Sequence, residues 1–227
     1  MSVVCCIYTL SGIVLAADSR LTRTKIETVD RKKVTTKYNI SDLAEKVILF
    51  KNKNIGLVWH GNAYCNNMHI VDVVREFEKE NIQDNDTIYD VVNKFNKYVN
   101  TTETTFIICG YDEDTPYVYE IYEKNVSRIN LITDEETKST KLRYGVRFGG
   151  KKVAIEKIIN SKPSIDTNYK YMTLADSIEF SKFLIDTTIK YQYFSDELKT
   201  CGGPIDVLVI TKDSAFWAQH KIYNPVK

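Results

Sequence analysis

Residues 1–22 read MSVVCCIYTLSGIVLAADSRLT. Two apolar runs, at residues 2–9 and 12–18, flank a tight Leu10–Ser11–Gly12 connection, which is the pattern of a β-hairpin. The first strand starts one residue after the initiator methionine, where most chains carry disposable residues. Removal of Met1 would place a hydroxyl and a free α-amine together on Ser2, at the mouth of a strand. That combination is a chemical site.

The same logic extends along the chain. Residues 21–42 are polar and basic, and Lys32 and Lys33 are expected in a solvated loop. KVILF (46–50) and IGLVWHG (55–61) flank an Asn-Lys-Asn turn at 52–54, and both arms are too continuously apolar to face solvent on either side. Ile70, Val73, Val74 and Phe77, then Ile88, Val91, Val92 and Phe95, recur at helical spacing and predict two helices with one buried stripe each. Asp86 or Thr87 can cap the second. TTFIICGYD (104–112) and PYVYEIY (116–122) form a third hairpin, and a strand at about 143–148 follows a charged loop. Helices are expected at about 151–160 and 173–191, the second burying Phe180, Phe183, Leu184 and Thr187. PIDVLVITK (204–212) and AFWAQHKIY (215–223) close the chain as strands.

Helices that come in pairs between hairpins do not build a regular parallel βαβ sheet. An α+β protein of two stacked antiparallel sheets with helices outside fits better, as a single domain over residues 1–227, with no linker or repeat to divide it.

Composition narrows the function classes. The 31 basic and 30 acidic residues leave a net charge of +1, which offers no footprint for nucleic acid or a membrane surface. No apolar run approaches the roughly 20 residues that span a bilayer. The N-terminus lacks the charged and apolar regions of a secretory signal, so a cytoplasmic protein is expected. The odd number of cysteines, 5, includes the adjacent Cys5 and Cys6, whose side chains point to opposite faces of a strand, so a disulfide framework is not expected. The sequons at Asn39, Asn85, Asn100 and Asn125 then read as products of an Asn-rich composition.

GIVLAADSRLT (12–22), KVILF (46–50), HGNA (60–63), TFIICGYD (105–112) with PYVYEI (116–121), and GGPIDVLVIT (202–211) fall in the order of the landmarks of proteasome β-type subunits. The chain resembles that family from end to end. The resemblance implies an N-terminal nucleophile hydrolase with a four-layer αββα fold, acting on peptide or protein substrates. It also implies a homo-oligomeric ring, room for an unfoldase partner, and no cofactor or metal.

Residue roles carry over position by position. The family's nucleophile is the first residue of the mature chain, and Ser2 lies the family's distance before the aspartate of LAAD, Asp18, which favours Ser2 over Ser11 or Cys5. Lys46 matches the lysine preceding the VILF strand. A cation there would depress the proton affinity of the α-amine, and Asp18 would keep the lysine charged. Taken singly, Asp18 also reads as a turn cap and Lys46 as a lysine snorkelling from a sheet end. The segment between them is longer than the family's, which leaves Lys37 as a rival. Gly61 matches the glycine whose amide completes the oxyanion hole, although a plain strand-end turn accounts for it almost as well from local sequence.

His60 reads as a packed or surface residue, His69 and His220 are isolated, and no Cys or His spacing resembles a zinc site. Three departures from the family stand out. Phe148, Gly149 and Gly150 replace a supporting serine, Asp196 is the nearest candidate for a second supporting aspartate, and serine replaces threonine as nucleophile, losing the methyl that restricts χ1. The reading is amide hydrolysis through a Ser2 acyl-enzyme. Its rivals are a non-catalytic scaffold subunit with the same fold, and an acyl-enzyme transferase or dedicated amidase.

Overall fold

Both arms of the opening hairpin, β1 (Val3–Tyr8) and β2 (Ile13–Asp18), are buried at every position, as their uninterrupted apolar sequence requires. The structure, a computed structural model, describes residues 2–29, 32–51, 53–65, 67–134, 138–160 and 167–221. After the hairpin come β3 (Leu21–Val29), β4 (Lys32–Ser41), β5 (Val47–Phe50), β6 (Ile55–Gly61) and the short β7 (Tyr64–Cys65) and β8 (Met68–His69). Helices α1 (Ile70–Asn81) and α2 (Ile88–Tyr98) precede β9 (Thr104–Asp112) and β10 (Thr115–Tyr122). Then follow β11 (Asn125–Arg128), β12 (Leu131–Thr133), β13 (Thr140–Leu142), β14 (Gly145–Gly150), α3 (Val153–Ile159), α4 (Leu174–Tyr193), β15 (Ile205–Ile210) and β16 (Ala215–Gln219). Residues 222 and 223, expected to extend the last strand, lie outside the described residues.

Two five-stranded antiparallel sheets dominate, in the orders β14-β1-β2-β15-β16 and β11-β10-β9-β6-β5. Side-chain alternation sorts their residues into separate clusters. Val4, Cys6 and Leu15 of the first sheet meet Val58, Ile107 and Val118 of the second in one apolar cluster. Val3, Cys5 and Ile7 point the other way, toward Leu184 and Ile185 of α4 and Ile155 of α3. On the second sheet Leu57, Trp59, Phe106 and Ile108 pack with Val74 and Phe77 of α1 and Val92 and Phe95 of α2. Each such buried side chain stabilises the fold by about 1.5–3 kcal/mol. Cys5 and Cys6 thus lie on opposite faces of one strand. Thr87 caps α2 through a reciprocal box with Asp90.

The structure corrects two expectations. Lys32 and Lys33 do not lie in a loop: β3 and β4 pair in antiparallel register from Leu21↔Ser41 to Val29↔Lys32, and the exposed Lys32 and Lys33 open a strand. On α4 the buried stripe is Ser177, Ser181, Leu184, Ile185, Thr188 and Gln192, whereas Phe183 is 49% exposed. Small hydroxyl side chains let the helix lie close to the sheet, and they carry no hydrogen-bonding debt. Ser177 Oγ donates to Thr173 O at 2.8 Å and Thr188 Oγ1 to Leu184 O at 3.1 Å. An apolar-periodicity reading misses a face built from serines and threonines.

Candidate active site

Ser2 stands at the head of β1 and is 6% exposed. Its carbonyl accepts the Lys151 amide at 2.7 Å, as β14 turns away from its pairing with β1. That close approach explains Gly150, which has φ of +82°: a Cβ there would sit 1.8 Å from the Ser2 carbonyl oxygen. The next residue, Val3, donates its amide to Asp18 Oδ1 at 2.9 Å.

Asp18 is the hub of the site. Lys46 Nζ donates to Oδ1 at 2.7 Å, and Oδ2 accepts the Gly202 amide at 3.0 Å and the Arg20 amide at 3.2 Å. Four N–H donors therefore converge on one carboxylate that is 1% exposed, which is how a buried charge is tolerated. Lys46 is 1% exposed and immediately precedes β5. Trp59, on the partner strand β6, donates its amide to Lys46 O at 3.1 Å and its indole Nε1 to Glu45 O at 3.2 Å. The β5–β6 hairpin thus fixes the backbone from which Lys46 extends.

Across from Ser2, Gly61 ends β6 with φ of +121°, and a Cβ at this position would meet the Glu103 carbonyl at 2.2 Å. Only glycine fits there. The turn beyond it is braced by Asn62, whose amide donates to Glu103 O at 3.1 Å and whose Nδ2 donates to Glu103 Oε2 at 2.7 Å. Ser2, Gly61, Trp59, Arg20, Tyr64 and Glu103 line one cleft of about 770 Å³, together with the foot of the β3–β4 ribbon.

No protein family model matches the sequence, and no curated protein matches it. Solved structures do. An Anbu (Gly-1) mutant from Hyphomicrobium sp. strain MC1 matches with a TM-score of 0.61 at 16% identity, over 97% of this chain and 86% of its own. Anbu from Yersinia bercovieri, described as an ancestral beta-subunit, matches with a TM-score of 0.58 at 14% identity, over 95% of this chain and 86% of its own. The chain shares the Anbu fold. At these identities the likeness is one of fold, and the chemistry rests on this chain's own side chains.

The structure brings Ser2, Asp18, Lys46 and Gly61 to one region and places the remaining candidates elsewhere. Lys37 lies on the exposed β4, opposite Thr24, and it is Lys46 that meets Asp18. Ser11 sits in the exposed turn between β1 and β2, donating to Met172 O at 3.4 Å. The Cys5 thiol is fully buried and held protonated by desolvation. Asp196 is exposed in the turn after α4. The chain returns to the site at Cys201–Gly202 instead: Gly202 bonds Asp18, and the Cys201 thiol is pushed up to about 12 by burial and the nearby Asp18 charge, against the opposing effect of Lys46. His60, packed against Gly149, is pushed down to about 4 by burial. His69 caps α1, accepting from the Val71 amide at 3.3 Å.

Sequence reading missed a second buried pair next to the first. Lys221 Nζ bonds Asp206 Oδ2 and donates to Ser19 Oγ at 3.2 Å, and the Lys221 amide donates to Asp206 Oδ1 at 2.9 Å. His220, isolated in sequence, joins it, with Nδ1 3.0 Å from Asp206 Oδ1 and its ring stacked on Trp217. The Ser19 amide donates to Gly202 O at 3.0 Å, and Ser19 O accepts the Ala44 amide at 2.8 Å. The Asp18–Ser19–Arg20 segment is therefore gripped on every residue. The signal available in sequence was an aspartate inside the apolar run IDVLVI, which is costly to bury unless a cation awaits it. Among the described residues no group of three His, Cys, Asp or Glu side chains could hold a metal ion, and no helix is long and apolar enough to cross a membrane.

Proposed function

We propose that this protein is a single-domain N-terminal nucleophile hydrolase of the four-layer αββα type that cleaves amide bonds in peptides. In this reading removal of Met1 frees the Ser2 α-amine. Ser2 Oγ attacks the carbonyl carbon while its proton passes to the amine, and the Gly61 amide donates to the oxyanion as charge develops. The amine then returns the proton to the leaving nitrogen as the C–N bond breaks. Water attacks the resulting ester by the reverse proton path and restores Ser2. The Asp18–Lys46 ion pair supplies the charged neighbours that the resemblance implies for that amine.

The observation that carries this reading is the sealed Asp18–Lys46 pair, bonded to the residue after Ser2, at a cleft that Ser2 and Gly61 both line. The test begins with intact mass, to establish a free Ser2. A peptide epoxyketone should then add to the wild-type chain and not to Ser2→Ala, with Ser11→Ala and Cys5→Ala labelled normally. Labelling that persists in Ser2→Ala would move the nucleophile elsewhere.

A second reading is a ring subunit with this fold and no turnover. It is favoured by the glycines at 149 and 150, where the family carries a supporting serine, and by the exposure of Asp196. A chain with a free Ser2 that takes up no probe would select it.

A further inference from the structure

Every residue from Arg23 to Thr28 and from Lys32 to Ile40 is exposed, so the β3–β4 ribbon packs neither face on the body of the protein. An isolated two-stranded ribbon is marginal in water, and this one also displays apolar side chains. Val34, Tyr38 and Ile40 occupy alternate positions on β4 and share one face, exposed by 43%, 39% and 48%. Ile26, 65% exposed, stands on the other. The charge is one-sided as well: among the described ribbon residues Arg23, Lys25, Lys32, Lys33 and Lys37 face a single carboxylate, Glu27.

The chain carries the complement of this surface. Along α1 and its connection into α2, Asp72, Glu76, Glu80, Asp84 and Asp90 are exposed, with Lys79 the one exposed cation among residues 70–90 that are described. Tyr89, 55% exposed, adds an apolar contact to the acidic stretch. A net charge of only +1 thus conceals a basic arm and an acidic helix face.

We propose that the β3–β4 ribbon is an assembly arm that docks on the acidic α1–α2 face of a second copy of this chain. Docking covers Val34 and Tyr38 and pairs Lys25 and Lys32, which share their face, with Glu80 and Asp84. The foot of the same ribbon, Leu21 to Thr24 with Ile40, walls the cleft beside Ser2. Assembly therefore orders one side of that cleft. The interface stands on exposure and charge, and it holds whether or not Ser2 is catalytic.

Sedimentation of the full chain tests it. Lys25→Glu with Lys32→Glu, and separately Glu80→Lys with Asp84→Lys, should each weaken self-association by about tenfold or more, since like charges now meet. High salt should weaken the wild type in the same direction. Mixing the two reversed chains, or combining all four substitutions in one chain, should recover association, which also shows that the reversed chains are folded. A wild type that stays monomeric at high concentration overturns the proposal. So does association that ignores both reversals, or a monomer whose ribbon lysines bind duplex DNA or anionic vesicles instead.

Discussion

Lys46 Nζ lies 2.7 Å from Asp18 Oδ1 with both side chains sealed from solvent, and the same oxygen accepts the Val3 amide at 2.9 Å. Removing one partner strands the other charge in the interior. Asp18→Asn and Lys46→Met should each lower stability by about 3–5 kcal/mol, read by urea denaturation. The double variant should cost clearly less than the sum of the two, because the partners share one interaction. Additive losses would show that the pair is not coupled.

Gly61 holds a backbone conformation that L residues resist, with the Glu103 carbonyl where a side chain would begin. Gly61→Ala should cost about 1–3 kcal/mol from backbone strain alone, and more if the Asn62 turn cannot move. Probe labelling of Ser2 should fall further than the thermal midpoint implies, because the displaced amide is the proposed oxyanion donor. An unchanged labelling rate in a folded Gly61→Ala chain would remove Gly61 from the site.

His60 stays neutral in the folded chain down to about pH 4, because burial outweighs the opposing effect of Glu120, while Arg147 adds to the depression. The unfolded imidazole titrates near 6.5, so the unfolded state binds more protons between these values. Stability should therefore fall as pH drops from about 6.5 to about 4, by up to about 3 kcal/mol. His60→Gln should flatten this part of the stability profile. A profile of equal slope in the variant would assign the acid sensitivity to other groups.

Lys221 bonds both Asp206 and Ser19, the residue next to Asp18. Lys221→Met should destabilise the chain by about 3 kcal/mol by leaving Asp206 short of its cation, and Asp206→Asn in the same chain should recover part of the loss. Hydrogen exchange should also rise at the Ser19 and Gly202 amides. Exchange unchanged at both amides would confine the second pair to a local role.

Much of this architecture is legible from short stretches. The β1–β2 hairpin, the KVILF and IGLVWHG arms, the paired helices and the Thr87 cap all announce themselves through periodicity or turn chemistry acting within a few residues. The β3–β4 ribbon does not, because the alternation of Val34, Tyr38 and Ile40 is diluted by the polar and basic residues around it, as in strands exposed on both faces. The buried face of α4 escapes apolar periodicity for a related reason: half of its contact residues are serines and a threonine, whose fit depends on how near the sheet lies.

Ser2, Asp18, Lys46 and Gly61 could be chosen in sequence because the motifs around them resemble landmarks of proteasome β-type subunits; local sequence alone reads Asp18 as a turn cap, Lys46 as a snorkelling lysine and Gly61 as a strand-end turn. Their partners could not. That Asp18 is satisfied by Gly202 rather than approached by Asp196, that Gly150 clears the Ser2 carbonyl, and that Lys221 reaches Ser19 follow from pairing β1 with β14 and β2 with β15, strands far apart in the chain. Strand identity depends on side chains a few residues apart and is written locally. Which carboxylate meets which cation depends on the register of distant strands, and that is decided only when the sheets close.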